Sequence, residues 1–255
     1  MVLTLRSTRS SPYDLCYHRN LQGFIYGLIR RAGYLDLHDK PGCKFFSFSN
    51  LIPPGRRIEA GSKKTLIVSS PDSEMIATLQ DEAKRIDGEE IKIGGMAFRL
   101  EKSRKVETNI SDDFGDFTLT SGTPIVIRIP RYRLKEYGIE PARDYDYIYW
   151  RKDYTPTPFI KQLEENLLKK YNEYSGTETD ETPIFEKVRF AKQVAVPLRM
   201  DRRETTVIGT LWEFCLRALD DRKRDMLRFG LDAGFGEMNS LGFGFMNVHE
   251  PGACH

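Results

Sequence analysis

Three residues with the right chemistry for one reaction fall close together in this 255-residue chain: Tyr26, His38 and Lys44. His38 sits in a polar stretch with Asp36, Asp39, Lys40 and Gly42 around it, and no apolar period is present there to bury it. Loops held on a rigid scaffold often carry catalytic groups. Tyr26 lies off the apolar stripe of the helix before that loop and shares its face with Gln22 and Arg30, four residues to either side. A tyrosine, a histidine and a lysine can together cut RNA without a metal ion. The 2′-hydroxyl must lose a proton, the phosphorane charge must be neutralised, and the 5′-oxygen must be protonated as it leaves. Histidine titrates near neutrality and lysine is a compact cation, so both suit these tasks. Each residue also has a plainer reading, as a boundary tyrosine packing its ring on the loop and as a surface or capping histidine. Cys43 beside His38 would suit a thiol nucleophile, although spacing along one loop says little about pairing in space. No cluster of His, Cys or carboxylates has ligand spacing, so neither metal nor cofactor is expected.

The elements around these residues read as follows. Val2 to Leu5 is a short strand, and Asn20 caps a helix whose stripe is Leu21, Phe24, Ile25, Leu28 and Ile29, ending near Gly33. Phe45 to Leu51 and Thr65 to Ser70 read as strands. Pro71-Asp72 opens a second helix, and an extended stretch broken by Gly94-Gly95 runs from Glu90 to Val106. This is β-α-β-β-α-β, the ferredoxin-like order. The second half repeats it: a strand over Pro124 to Arg133, a helix from Pro158, long strands over Ile184 to Pro197 and Glu204 to Phe214, a helix over Asp220 to Ala233 and a last strand over Phe243 to Val248. The fold class expected is α+β, as two tandem ferredoxin-like (RRM-like) domains over residues 1–115 and 116–255. The polar segment Glu107 to Gly122 is the expected boundary.

Composition is that of an ordinary globular protein, 40% apolar and 30% charged. No apolar run approaches the roughly 20 residues needed to cross a bilayer, and no signal peptide is evident, so a cytoplasmic chain without a membrane partner is expected. Cys16, Cys43, Cys215 and Cys254 are far apart and read as reduced thiols. Lys and Arg total 39 against 37 Asp and Glu. Their distribution says more than their sum. Six basic residues and one acid lie between Lys187 and Arg203, and further basic stretches cover Arg99 to Lys105 and Arg128 to Lys135, all on or beside strands. Three such stretches point to a polyanion partner and make Arg128, Arg189, Lys192, Arg199 and Arg202 candidate RNA contacts.

The segment Gly234-Phe-Gly-Glu-Met-Asn-Ser-Leu-Gly-Phe-Gly244 leaves a helix and enters a strand, the reverse of a dinucleotide-binding loop. Its glycines bring backbone close either to RNA or to the first domain. The RNA contact is the expectation for Gly236 and Gly242, because Glu237, Asn239 and Ser240 show no period that would bury them. This segment resembles the glycine-rich signature of the CRISPR-associated repeat-processing endoribonucleases, the crRNA-generating branch of the RAMP superfamily. Leu21-Gln-Gly-Phe-Ile-Tyr26, Leu37-His38 and Gly42-Cys-Lys-Phe45 are similar, in order, to the family segments that hold its tyrosine, histidine and lysine. The resemblance implies two ferredoxin-like domains, with Tyr26, His38 and Lys44 as the catalytic set. It also implies cleavage of precursor CRISPR RNA within the repeat to 2′,3′-cyclic phosphate and 5′-hydroxyl ends, hand-off to an effector complex, and a monomer or homodimer. The alternative is a non-cutting RNA-binding subunit of such a complex, against which retention of His38 argues.

Overall fold

The period-two and period-3.6 patterns fold into two antiparallel sheets, each backed by two principal helices. The computed structural model describes all residues except 15–16, 35–41, 43, 108–116, 142, 181–182, 201–202, 217–218 and 250–255, together with the side chains at 199–200 and 203–204. The first unit runs β1 (Val2–Ser7), β2 (Ser11–Pro12), α1 (His18–Arg31), β3 (Ser47–Phe48), β4 (Arg57–Ile58), β5 (Lys63–Ser69), α2 (Ser73–Arg85), β6 (Ile91–Ile93) and β7 (Met96–Arg104). Its sheet has the order β3-β5-β1-β7-β6. Without the hairpin strand β6 and the short β2–β4 pair, this is the ferredoxin-like order of second, third, first and fourth strand.

The second unit runs β8 (Phe117–Ser121), β9 (Arg128–Pro130), α3 (Arg131–Leu134), β10 (Tyr147–Tyr149), α4 (Pro156–Ser175), β11 (Lys187–Met200), β12 (Arg203–Leu216), α5 (Asp221–Ala233) and β13 (Met246–His249). Its sheet, β11-β12-β8-β13, repeats the same order. The fold is therefore α+β with two tandem ferredoxin-like units. β9, α3 and β10 are an insertion between the first strand and first helix of the second unit.

Local rules place most elements. Leu21, Ile25, Leu28 and Ile29 are buried on one face of α1. The helix begins two residues before the expected cap Asn20, and Tyr17 takes the cap position without a side-chain bond. Asp72 and Asp220 cap α2 and α5 by accepting from the backbone N–H of Met75 (2.9 Å) and Lys223 (2.8 Å). One strand differs from expectation. The first strand of the second unit is β8, within the polar segment read as a boundary, because it pairs between β12 and β13 and buries Phe117 and Leu119 in the second unit's core. Pro124 to Arg133 forms isolated bridges, the short β9 and then α3. Its Ile125, Ile127 and Ile129 enter the second unit's core, and Val126 is buried on the other side with Phe243 and Val207. Burial on both faces, rather than a ladder, explains the apolar run. The expected division at 115/116 falls outside the described residues. Cys215 is buried and in no disulfide, and no described helix is long and apolar enough to cross a membrane.

Candidate RNA-cleaving cleft

The C-terminal half of α4 and the glycine-rich loop 234–244 press against the part of the first unit that holds Tyr26 and Lys44. Lys170 is the centre of this junction. It is 3% exposed, and its ammonium donates to the carbonyls of Gly234 (2.5 Å) and Gly236 (3.0 Å) and to Asn239 Oδ1 (3.1 Å). Asn239 Nδ2 in turn donates to the carbonyls of Phe235 (3.1 Å) and Phe243 (3.0 Å), which closes the loop on itself. A buried cation is tolerated only when such acceptors replace its water.

The same loop reaches the first unit through its polar face. Leu241 carbonyl lies 3.0 Å from His18 Nδ1, and the His18 ring is stacked between Tyr17 (4.7 Å) and Phe243 (5.1 Å). Burial holds the His18 pKa below its ordinary value, against the opposing pull of the Leu241 carbonyl. Tyr26 is half-buried, meets Phe46 edge-on (5.7 Å between ring centres) and hydrogen-bonds Ser240. Burial pushes its phenol pKa up, with the Ser240 bond pulling the other way, so at neutral pH Tyr26 is a hydroxyl.

Lys44 is followed by Phe45 at φ +37, a left-handed conformation that costs energy for a non-glycine residue. The second unit holds it there. The Phe45 ring packs edge-on to Tyr174 of α4 (5.4 Å) and Phe229 of α5 (5.9 Å), and the Phe45 carbonyl accepts from Ser70 Oγ (2.8 Å). Lys44, Phe46, Lys170, Arg128, Glu237 and Ser240 line one cleft of about 280 Å³ between the units. Tyr26 touches two of its walls, Phe46 and Ser240. The structure thus brings Tyr26 and Lys44 to one cleft, and Gly42 on the same wall flanks the segment of His38, which lies outside the described residues.

The expected RNA contacts separate into groups. Arg128 is paired to Glu237 through its guanidinium, and Glu237 Oε1 also accepts the Arg128 backbone N–H (2.8 Å). Arg189 is exposed and paired to Glu213, while Lys192 is exposed. They stand opposite Glu213 and Leu211, two positions apart on β12, and so share one face of the hairpin. Arg199 lies opposite Glu204, its side chain outside the described residues, as is Arg202.

The two glycines expected to contact RNA are closely surrounded by protein. Gly236 has φ +68, and a side-chain carbon there would stand 2.6 Å from the Val126 carbonyl oxygen; Gly242 has φ +83, and the same addition would overlap the Phe48 ring. At both positions the added carbon would meet atoms of this chain, so close packing within the protein is by itself a reason for glycine there. Glu237, Asn239 and Ser240 are likewise engaged by Arg128, by loop carbonyls and by Tyr26. These partners leave no period in the sequence, because a loop engages its polar groups through residues far away along the chain. Lys170 and His18 carried no usable signal either, since Lys170 sits in an ordinary helical sequence beside Lys169.

Comparison with known proteins agrees over the whole chain. The model of the CRISPR associated protein Cas6, C-terminal family matches residues 111–248. The CRISPR-associated endoribonuclease Cas6 2 of Methanocaldococcus jannaschii is 30% identical over 258 residues, covering 96% of this chain and 97% of its own. The CRISPR-associated endoribonuclease Cas6 of Haloferax mediterranei is 28% identical over 256 residues, covering 98% and 93%. A solved structure described as CRISPR associated protein Cas6 shares the fold, with a TM-score of 0.70 at 22% identity over 98% of both chains. The chain belongs to the CRISPR-associated Cas6 family.

Proposed function

We propose that this chain is an endoribonuclease that cuts precursor CRISPR RNA within the repeat, using the 2′-hydroxyl of the RNA as nucleophile and no metal ion. The observation that carries the reading is the meeting of Tyr26 and Lys44 at one cleft between the units. In the reaction, the 2′-oxygen attacks the adjacent phosphorus and gives up its proton, the bond to the 5′-oxygen breaks, and that oxygen takes a proton. The products are a 2′,3′-cyclic phosphate and a 5′-hydroxyl. His38 serves as the proton shuttle and Lys44 neutralises charge on the phosphorane. Tyr26, a neutral hydroxyl with a raised pKa, is better suited to donate a hydrogen bond and position the 2′-oxygen than to act as base. Arg189 and Lys192 supply phosphate contacts along the hairpin, and the cut RNA passes to an effector complex.

The test is end-labelled repeat RNA incubated with the protein in EDTA. Cleavage to a cyclic-phosphate end supports the reading. Tight binding with full-length RNA throughout would instead make the chain a carrier of CRISPR RNA.

A further inference from the structure

The insertion β9–α3–β10 adds something that neither the ferredoxin-like order nor the cleavage chemistry requires. Three of the six large apolar side chains exposed among the described residues lie on it: Tyr132 (83%), Tyr145 (49%) and Tyr147 (40%). Exposed tyrosines on a single insertion are uneconomical for folding, since each leaves apolar ring surface in water. Tyr147 is the one fixed in place. The Arg128 guanidinium lies 4.8 Å from its ring centre, and Tyr149 meets it edge-on at 5.7 Å.

Both supports are themselves anchored. Arg128 is bound to Glu237 of the glycine-rich loop and lines the cleft that Lys44 also lines. Tyr149 packs into the apolar cluster of Val126, Val196, Leu198, Val207 and Phe243 that joins the hairpin to the same loop. The result is a ring backed by a cation, tied to the wall of the cleft and partly open to solvent. Its charge is informative. Glu237 neutralises Arg128, so the pair is a poor phosphate site, whereas a polarised aromatic face without net charge suits the π-face of a nucleobase.

We infer that Tyr147, backed by Arg128, is a stacking platform for one unpaired nucleobase of the RNA strand that passes through the cleft. This rests on the endoribonuclease reading for the identity of the ligand. The platform would hold the strand in register with the cleft by gripping a base a short distance from the scissile phosphate. Stacking is tolerant of base identity, so its effect is on position more than on sequence.

The test uses repeat RNA made uncleavable by a 2′-deoxy substitution at the scissile nucleotide and carrying one abasic site at each position in turn. With wild-type protein, one abasic position should weaken binding about tenfold, the cost of losing one stacked base. Tyr147→Ala should weaken binding of intact RNA by a similar factor and make that abasic position silent, while Tyr147→Trp retains the wild-type pattern. Tyr147→Leu, which keeps bulk but not the aromatic face, should behave like Tyr147→Ala, and unchanged melting temperatures check that both variants fold. Abasic penalties that are the same in wild type, Tyr147→Ala and Tyr147→Leu would overturn the platform alone. If the wild-type protein does not bind repeat RNA, the endoribonuclease reading falls and the platform falls with it.

Discussion

The two units share a topology and differ most at one equivalent place. In the second unit, the strand pair that follows the first helix, β11 with β12, runs for thirteen residue pairs; in the first unit its counterpart, β3 with β5, has two. The shortened pair begins only at Ser47, so Lys44 lies outside the sheet, in the connection between α1 and β3 whose sequence also carries His38. The corresponding connection of the second unit, between α4 and β11, carries Glu178 and Asp180 and, among its described residues, no group that lines the cleft. The lengthened pair does the opposite service. Beyond a bulge between Phe190 and Lys192 its apolar face changes side, so Val196 and Leu198 bury against Phe243 rather than in the second unit's main core. The first unit's connection carries Lys44, and the rings of Tyr174 and Phe229 that pack on the neighbouring Phe45 come from the helices of the second unit.

This division of labour predicts that chemistry is lost by changes in the first unit and position by changes in the second. The largest effect should come from His38→Ala, which should slow single-turnover cleavage by about 10² to 10⁴ while RNA affinity is nearly unchanged. Equal loss of binding would make His38 a structural residue and blur the division. Lys170→Met should come next. It leaves three acceptors without their donor, at roughly 1–3 kcal/mol for a buried group left unpaired, and the melting temperature should fall by about 5 °C or more. A stable Lys170→Met protein would show that the loop holds its shape without the cation.

Gly242→Ala should destabilise by about 1–3 kcal/mol, from its positive φ and from displacement of Phe48. RNA affinity per folded molecule should survive, and an unchanged melting temperature with lost binding would favour an RNA contact instead. A smaller effect concerns pH. Burial depresses the His18 pKa in the folded state, so the unfolded chain binds the extra proton below the ordinary value of 6.5. Stability from the neutral ring is present above that pH and declines as pH falls below it. Denaturant melts at pH 7 and 5 should therefore show wild type losing stability relative to His18→Gln, and parallel curves would remove His18 from the junction's titration. The smallest effect is that of neutralising Arg189 and Lys192 together, which should lower the slope of log affinity against log salt by about one to two. An unchanged slope would take the hairpin face out of the RNA path.

Much of this architecture is readable before folding is considered. The stripe of Leu21, Ile25, Leu28 and Ile29, the caps at Asp72 and Asp220 and the β-branched runs of β11 and β12 follow from rules spanning a few residues, and together they specify two ferredoxin-like units. Tyr26 was also legible as a side chain off the apolar stripe of its helix, and Lys44 as a cation in the polar stretch around His38; only the fold brings the two to one cleft. Tertiary structure decided what such rules cannot reach. Phe117 and Leu119 make a central strand only because β12 and β13 pair on either side of a segment that is polar along the chain. Lys170 becomes an interior anchor, and Gly236 and Gly242 become close-packing positions, because partners as far away as Val126 and Phe48 meet them. The physical reason is range: helix periods, caps and turns are written by neighbours in sequence, whereas burial of a charge or exclusion of a side chain is set by whatever surface the rest of the chain brings against it.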